Sequence, residues 1–301
     1  MLKLSQLPFY TPAVPTALAD TEEPTLVPEL PNGVLLSDGR IVKTLTPVKS
    51  PSALALSVAQ NKDALQAMAP QAMAQILSHY IESIDDVPVV AAYRASDYKE
   101  IPEVILNMLT VDAGYALVYI DYYLYGDISK GAVYKCTNNS CRNIGSYDIP
   151  KMYFYKNTSY PPNYDIAKQR FTHKFSTPAK FTLKQDEPPE LYDYIEYSPP
   201  NLRKGLLHRK LWDPKNELPF IYAMLLSDAT LGNSTTGSIL DKNNRKYLKD
   251  AWLAFPAKDR VKIVENLAEL PQIYTLYATS CEKCGDMTYV TINPLMLLKE
   301  I

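Results

Sequence analysis

The chain has four cysteines, and they occur as two close pairs that are far apart in the sequence. Cys136 and Cys141 lie in the segment AVYKCTNNSCRNIGSYDI, and Cys281 and Cys284 lie in IYTLYATSCEKCGDMTYVTI. A tyrosine-containing stretch typical of β-strands precedes each pair, and another follows it. Each pair is therefore predicted to occupy the tip of a β-hairpin, a cysteine knuckle. A fold in which both tips meet is strongly constrained, because the long intervening chain must return to the same place.

The chemistry of paired thiols favours such a meeting. Two thiolates on a tight turn point in the same direction and supply half of a tetrahedral zinc site, with Zn–S bonds of about 2.3 Å. Turn amides can donate to the sulfurs. Gly285 suits the left-handed backbone position that a knuckle needs, and Asn138 and Asn139 can serve likewise in the first knuckle. We predict that one structural Zn²⁺ is bound by four ligands: Cys136, Cys141, Cys281 and Cys284.

Two alternatives to zinc stay open at this point, namely a remnant site without metal and a disulfide in a mature extracellular particle. A thioredoxin-like redox role is not expected, because Cys281 does not open a helix. No apolar run reaches the roughly 18 residues of a membrane-spanning helix, and residues 1–20 lack the apolar core of a secretion signal. Synthesis in a cytosol without membrane contact is therefore expected, and there paired thiols favour metal over disulfide.

The charge of the chain argues against nucleic acid as a general partner. The net charge is −2, so the chain lacks the basic excess that neutralises phosphates. One local basic cluster, interpreted as a solvated face, consists of Arg203, Lys204, His208, Arg209 and Lys210. The alternative function is a zinc-ribbon nucleic-acid-binding module, in which this cluster binds phosphates and tyrosines stack on bases.

The pattern along the chain predicts an α+β fold with a mostly helical body, short β-hairpins and a split zinc ribbon formed by the two knuckles. Residues 1–32 are proline-rich and predict an extended N-terminal arm. Residues 33–149 predict a hairpin, helices and the first knuckle. Residues 150–215 predict a Tyr/Pro-rich insertion with arms. Residues 216–301 predict helices and the second knuckle, packing with 33–149.

No residue pattern indicates catalysis, and we expect a protein that is not an enzyme and has no small-molecule substrate. His79, His173 and His208 are the only histidines, and none lies in a catalytic metal spacing such as H-E-x-x-H. There is no G-x-S-x-G nucleophile motif. Residues 232–238 resemble a phosphate-binding loop in spacing but lack its lysine. Four thiolates would also close the zinc coordination sphere, whereas a catalytic zinc needs an open position.

Three sequence blocks taken together carry a family resemblance. The first is LPNGVLLSDGRIVKTLTP, and the second is LTVDAGYALVYIDYYLYGD, which leads into a strand and Cys136. The third is PAKDRVKIVENLAEL, followed by a strand and the sequence CEKCG. This order resembles the baseplate hub and hub-assembly proteins of T-even-type contractile phage tails. In those proteins a hairpin and helices precede a helix with an Asp near its start, and a C-x-x-C-G hairpin closes the chain.

The resemblance implies a structural or assembly protein of the tail baseplate. Such a protein would bind other phage tail and baseplate proteins, would be assembled in the host cytoplasm and would reside in the virion. The same resemblance implies that the four cysteines are zinc ligands. The composition fits independently, because 23 tyrosines and 24 prolines suit ordered, extended arms that lie across partners.

Overall fold

The computed structural model describes residues 27–60, 69–125, 132–136, 138–147, 153–156, 159–182, 188–210, 224–232, 237–239, 245–271 and 273–291. Residues 1–26 of the predicted arm lie outside these ranges. So does Gly126, a residue type that predicts the end of the preceding helix. Helices and antiparallel sheets are both present, so the α+β prediction is confirmed. None of the helices within these ranges is long and apolar enough to cross a membrane.

Helices and strands occur in mixed order along the chain. Up to residue 125 they are β1 (Glu29–Leu35), β2 (Ile41–Pro47), α1 (Ala53–Gln60), α2 (Ala69–Tyr80), β3 (Ile81–Ile84), β4 (Val87–Pro88), α3 (Val90–Ala95), α4 (Glu103–Asn107) and α5 (Thr110–Tyr125). They are followed by β5 (Ala132–Lys135), β6 (Ile144–Tyr147), β7 (Tyr153–Lys156), β8 (Tyr164–Asp165), β9 (Arg170–Phe181), β10 (Glu190–Tyr197) and α6 (Leu202–Lys210). The last are β11 (Thr230–Gly232), β12 (Gly237–Ile239), α7 (Arg245–Ala254), α8 (Ala257–Ala268), β13 (Ile273–Ser280) and β14 (Met287–Thr291).

The first core lies between a four-stranded antiparallel sheet, in the order β1-β2-β3-β4, and the helices α2 and α5. α5 has apolar residues around nearly its whole circumference, which predicts burial. The structure confirms this for Ala113, Tyr115, Leu117 and Ile120, which have at most 1% of their surface exposed.

One boundary in this core differs from the sequence prediction. Apolar residues at helical spacing predict a helix that begins at Pro70 and continues to Ile84, but α2 ends at Tyr80. Ile81–Ile84 instead forms β3, in which Ile84 pairs with Leu45 of β2. β-branched residues favour a strand where a partner is present, and that partner is distant in the sequence.

The second core is built on a five-stranded antiparallel sheet in the order β12-β11-β10-β9-β8. α7 and α8 pack on β9 and bring Trp252, Phe255 and Ile263 against Phe171 and the rest of the buried cluster. The predicted insertion thus forms a core with the helices of the predicted last unit. The prediction of a mostly helical body therefore understates the sheets.

The long hairpin of β9 and β10 explains this difference. Phe171, His173 and Phe175 are buried and alternate with exposed Thr172 and Lys174, which is the period of a strand with one face on a core. Residues 230–232 and 237–239 are likewise strands rather than parts of a helix.

Both predicted cysteine hairpins are present. β5 pairs with β6 around the first pair of cysteines, and β13 pairs with β14 around the second. β7 adds a third strand alongside β13, so the second hairpin belongs to a three-stranded sheet in the order β14-β13-β7.

Candidate metal centre

The tips of the two hairpins bring all four predicted cysteines together. Their Sγ atoms all lie within 4.8 Å of one another. Cys136 Sγ lies 3.6 Å from Cys284 Sγ, and Cys141 Sγ lies 3.8 Å from Cys281 Sγ. In a tetrahedral site with Zn–S bonds of about 2.3 Å, neighbouring sulfurs are about 3.8 Å apart. These two distances therefore match the edges of such a tetrahedron, and both join one hairpin to the other.

Asn138 organises the longer first turn. Its carbonyl oxygen accepts hydrogen bonds from the N–H groups of Cys141 (3.1 Å) and Arg142 (3.0 Å). Its side-chain oxygen accepts a third from the N–H of Ser140 at 2.8 Å, which forms an Asx-turn. The N–H of Cys136 donates to the carbonyl of Asn143 at 2.7 Å and closes the loop. A four-residue spacer can thus present its two thiols from one side.

The left-handed residue of the first turn is not where the sequence predicts it. The sequence favours Asn138 and Asn139, but among the described residues of this turn the one with positive φ is Arg142, at 48°. Arg142 follows Cys141 directly, as Gly285 (φ 76°) follows Cys284. The two turns therefore share one backbone feature after the second cysteine, and an arginine adopts it in the first turn.

The second turn is shorter and has the predicted form. The N–H of Gly285 donates to the carbonyl of Cys281 at 2.7 Å, and the N–H of Cys281 donates to the carbonyl of Asp286 at 2.9 Å. A Cβ on Gly285 would meet no atom within 4 Å, so the glycine is required by its positive φ and not by crowding.

A polar contact between the turns was not predicted. The Asn138 side-chain amide donates to the Asp286 carboxylate. Asparagine and aspartate beside a knuckle are ordinary turn residues, so the sequence gives no sign that these two meet. The contact fixes the relative position of the turns from outside the sulfur cluster.

The electrostatics show that the thiols act as one group. Cys136 and Cys281 are buried, while Cys284 is exposed. Burial raises the pKa of Cys281, but the N–H groups of Cys284 and Lys283 and the neighbouring thiols outweigh it and bring the pKa to about 6. For Cys284, the N–H of Asp286 lowers the pKa, but burial and the other three cysteines raise it to about 12. Sulfurs this close resist multiple ionisation, and a divalent cation removes that repulsion.

The basic cluster predicted as a solvated face is not solvated at Lys204. That side chain is buried, and its ammonium donates to Asp228 (2.7 Å) and to the carbonyl of Ser198 (3.0 Å). Burial lowers the pKa of Lys204, and the Asp228 carboxylate opposes this. Arg203 donates to Asn107 at 3.1 Å. The side chains of residues 208–210 lie outside the described part of the chain.

A histidine, an aspartate and a serine meet in the second core, but not in catalytic order. Asp259 lies between the others: its Oδ1 is 3.0 Å from His173 Nε2, and its Oδ2 accepts from the hydroxyl of Ser176 at 2.7 Å. A nucleophilic serine must instead donate to the histidine. The arrangement ties β9 to the first turn of α8.

Comparisons with models of known protein families, with characterised proteins and with solved structures gave no match. The function must therefore be argued from the site and from the fold that positions it.

Proposed function

We propose that Cys136, Cys141, Cys281 and Cys284 bind one structural Zn²⁺ and that the protein is a non-enzymatic scaffold. The observation that carries this proposal is the convergence of four thiols from two distant hairpins within 4.8 Å. Soft thiolates in a tetrahedral set favour zinc or an iron–sulfur centre. Four protein sulfurs leave no open position for a substrate, which is the arrangement of a structural zinc site.

The ion would tie together two hairpins that are far apart in the sequence. Beyond the sulfurs, the described contacts include the Asn138–Asp286 hydrogen bond and the approach of β5 to β14. A structural zinc contributes on the order of 10 kcal/mol of binding energy to the fold that holds it. The zinc would thus set the position of β5–β6 against β13–β14.

The place of this scaffold would be a phage contractile tail baseplate, where it would bind neighbouring tail proteins in the virion. This step rests on the resemblance of the three sequence blocks. It gains support from their meeting in space: Asn32 of the first block bonds to Asp112 of the second and to the carbonyl of Pro271, which follows the third. Exposed Tyr122 and Tyr123, at the end of α5, offer the aromatic area that protein interfaces favour.

The nucleic-acid alternative loses part of its basis. Lys204 is buried in an ion pair with Asp228, and Arg203 lies 3.7 Å from Glu103. At least these two members of the basic cluster have intramolecular acidic partners, and they are less available for phosphates than the sequence suggests.

Metal analysis of the purified full chain tests the zinc site. We expect one zinc per chain, lost in Cys281→Ser and Cys284→Ser because three ligands hold zinc far less tightly than four. Lys283→Ala is the matched control, since it lies in the same turn with an exposed side chain and should keep its zinc. A wild-type protein purified without metal, or with disulfides between these cysteines, would refute the site.

Co-purification tests the scaffold role. When the protein is co-expressed with the proteins encoded beside it, we expect a stable complex with tail proteins whose yield changes little with salt. Nucleic acid that is retained at low salt and lost steeply as salt rises would support the alternative instead. Zinc binding without any tail-protein complex would contradict the baseplate proposal and leave the zinc proposal standing.

A further inference from the structure

The two cores meet at a buried polar contact, which we name the core junction: Pro31–Gly33, Asp112, Tyr160, Gln169 and Pro271. The backbone N–H and the side-chain amide of Asn32 donate to Asp112 Oδ1 at 3.2 and 2.9 Å. The same amide donates to the carbonyl of Pro271 at 2.7 Å. The first strand of one core is thus held by residues from both.

Further hydrogen bonds come from the second-core side. The side-chain amide of Gln169 donates to the carbonyl of Gly33 at 2.9 Å, and the hydroxyl of Tyr160 donates to the carbonyl of Pro31 at 3.1 Å. These bonds give the carbonyls of Pro31 and Gly33 side-chain donors from the second core. The core junction is therefore a specific polar contact between two apolar clusters.

The core junction is short of hydrogen-bond donors. Asp112 has 0% of its surface exposed and Asn32 has 1%. Asp112 Oδ2 and Asn32 Oδ1 have no hydrogen-bond partner among the residues that the structure describes. The amide oxygen of Asn32 is always an acceptor, and Oδ2 of Asp112 is only an acceptor when the carboxyl is ionised. A buried acceptor without a donor destabilises the fold, and a proton on the carboxyl would supply one.

No cation in the described ranges lies within ion-pair distance of Asp112. Its titratable and charged neighbours are Lys43 of β2, Tyr115 on its own helix, and Tyr160 and Tyr164 beside the core junction. Burial raises the pKa of Asp112 to about 7, although the Asn32 side chain, the N–H groups of Asn32 and Gly33, and Lys43 all lower it. The three tyrosines have raised pKa values and are neutral near pH 7, so they cannot compensate an ionised Asp112.

We propose that Asp112 is a buried proton-binding site that couples pH to the contact between the two cores. With its proton the carboxyl is neutral and adds a donor to the core junction. Without the proton it places an unpaired negative charge between two apolar clusters, which weakens their contact. The ligand is a proton, and the site is separate from the cysteine centre.

The sign of the effect follows from the two states of the chain. The unfolded carboxyl has an ordinary pKa near 3.8, and the folded one has a pKa of about 7. The folded state binds the proton more tightly, so the stabilising contribution is fully present below the unfolded pKa. It is lost as the pH rises through the folded pKa. The core junction is tightest in mild acid and weakest in alkali.

Thermal unfolding of the full, metal-loaded chain between pH 6 and 9 tests the proposal, with Asp112→Asn as the neutral isostere. We expect the wild-type melting temperature to fall by several degrees relative to Asp112→Asn as the pH rises from 6 to about 7, and the difference to level off above that, because the folded carboxyl is then already ionised. Because both proteins contain the same cysteines, any contribution of the cysteines cancels in the difference between the two melting temperatures. Asp193→Asn, in β10, is the control and should follow the wild-type profile.

A second measurement keeps the proposal testable if Asp112→Asn does not fold. The side-chain carboxyl carbon of Asp112 in the wild-type chain, observed by NMR, should titrate with a midpoint near 7. In the thermal unfolding experiment, melting temperatures of wild type and Asp112→Asn that change in parallel with pH would overturn the proposal. So would a carboxyl that is ionised throughout this range, because bound water would then be supplying the missing donor.

Discussion

Asp112 in the first core and Asp259 in the second occupy similar positions, yet the pKa values of their carboxyls are shifted in opposite directions. Each is the third residue of its helix, α5 or α8, and both are buried. Burial raises the pKa of both, but hydrogen bonds reverse this only at Asp259, whose pKa is lowered. A helix N-terminus favours negative charge equally in both places, so the helix does not explain the difference.

The difference lies in the donors that each carboxyl receives. At Asp259, Oδ2 accepts from the N–H (3.0 Å) and the hydroxyl (2.7 Å) of Ser176, and Oδ1 faces His173. At Asp112 the N–H and the side-chain amide of Asn32 donate to Oδ1, and Oδ2 has no partner among the described residues. Donors on both oxygens stabilise the charged form, whereas one unpaired oxygen favours the proton. Asp112 is also the more completely buried of the two, so deeper burial and fewer donors both favour its protonated form.

The largest expected effect is the loss of charge at Asp259. Asp259→Asn should destabilise the chain by about 2–3 kcal/mol at pH 7, because a side-chain amide cannot accept on both sides from Ser176 and His173. Asp112→Asn should not be destabilising at pH 8. Urea unfolding of both variants measures the contrast. Equal losses of unfolding free energy in the two variants would show that burial alone governs the protonation of both carboxyls.

The pH dependence gives this prediction its sign. Because the folded pKa of Asp259 lies below 3.8, its contribution is present above that value and is lost as the pH falls through the folded pKa. The penalty of Asp259→Asn should therefore shrink in acid. The Asp112→Asn difference should instead grow as the pH rises to about 7 and stay at its largest in alkali, so the two variants diverge at opposite ends of the pH range.

A smaller effect is expected when one donor is removed from Asp259. Ser176→Ala deletes the hydroxyl but keeps the backbone N–H, and it should cost about 1 kcal/mol at pH 7. The pKa of Asp259 should rise and make this carboxyl more like Asp112. Carboxyl NMR titration of this variant measures the change, with Ser159→Ala, an exposed serine, as the control. An unchanged pKa would mean that the hydroxyl contributes nothing to the difference.

The sequence predicts one part of this molecule well and another part poorly. The cysteine hairpins and the buried α5 follow from local signals, namely C-x-x-C-G between β-prone stretches and a long apolar helical segment. The convergence of the thiols follows from their chemistry. Arg142 does not follow, because a left-handed arginine is unfavourable locally and is held there by the turn around it.

The buried aspartates show why the other features could not be predicted from the sequence. Asp112 receives its donors from 80 positions away, and Asp259 receives its own from 83 and 86 positions away. Nothing local distinguishes the two carboxyls, so their protonation depends on tertiary contacts alone. The alternation of Phe171, His173 and Phe175 was a local signal for β9. The surrounding tyrosines and prolines favoured arms instead.

The smallest expected effect is that of the imidazole. Burial, which raises the pKa of Asp259, is opposed first by the hydroxyl and N–H of Ser176 and only then by His173. His173→Gln keeps a neutral donor beside Oδ1 and should therefore change the free energy of unfolding by about 0.5 kcal/mol at pH 7. Urea unfolding of His173→Gln and Ser176→Ala under the same conditions shows which variant loses more free energy of unfolding. If His173→Gln were the more damaging variant, the positive charge of the ring would be what holds Asp259 ionised. The contrast with Asp112 would then rest on a missing cation and not on missing donors.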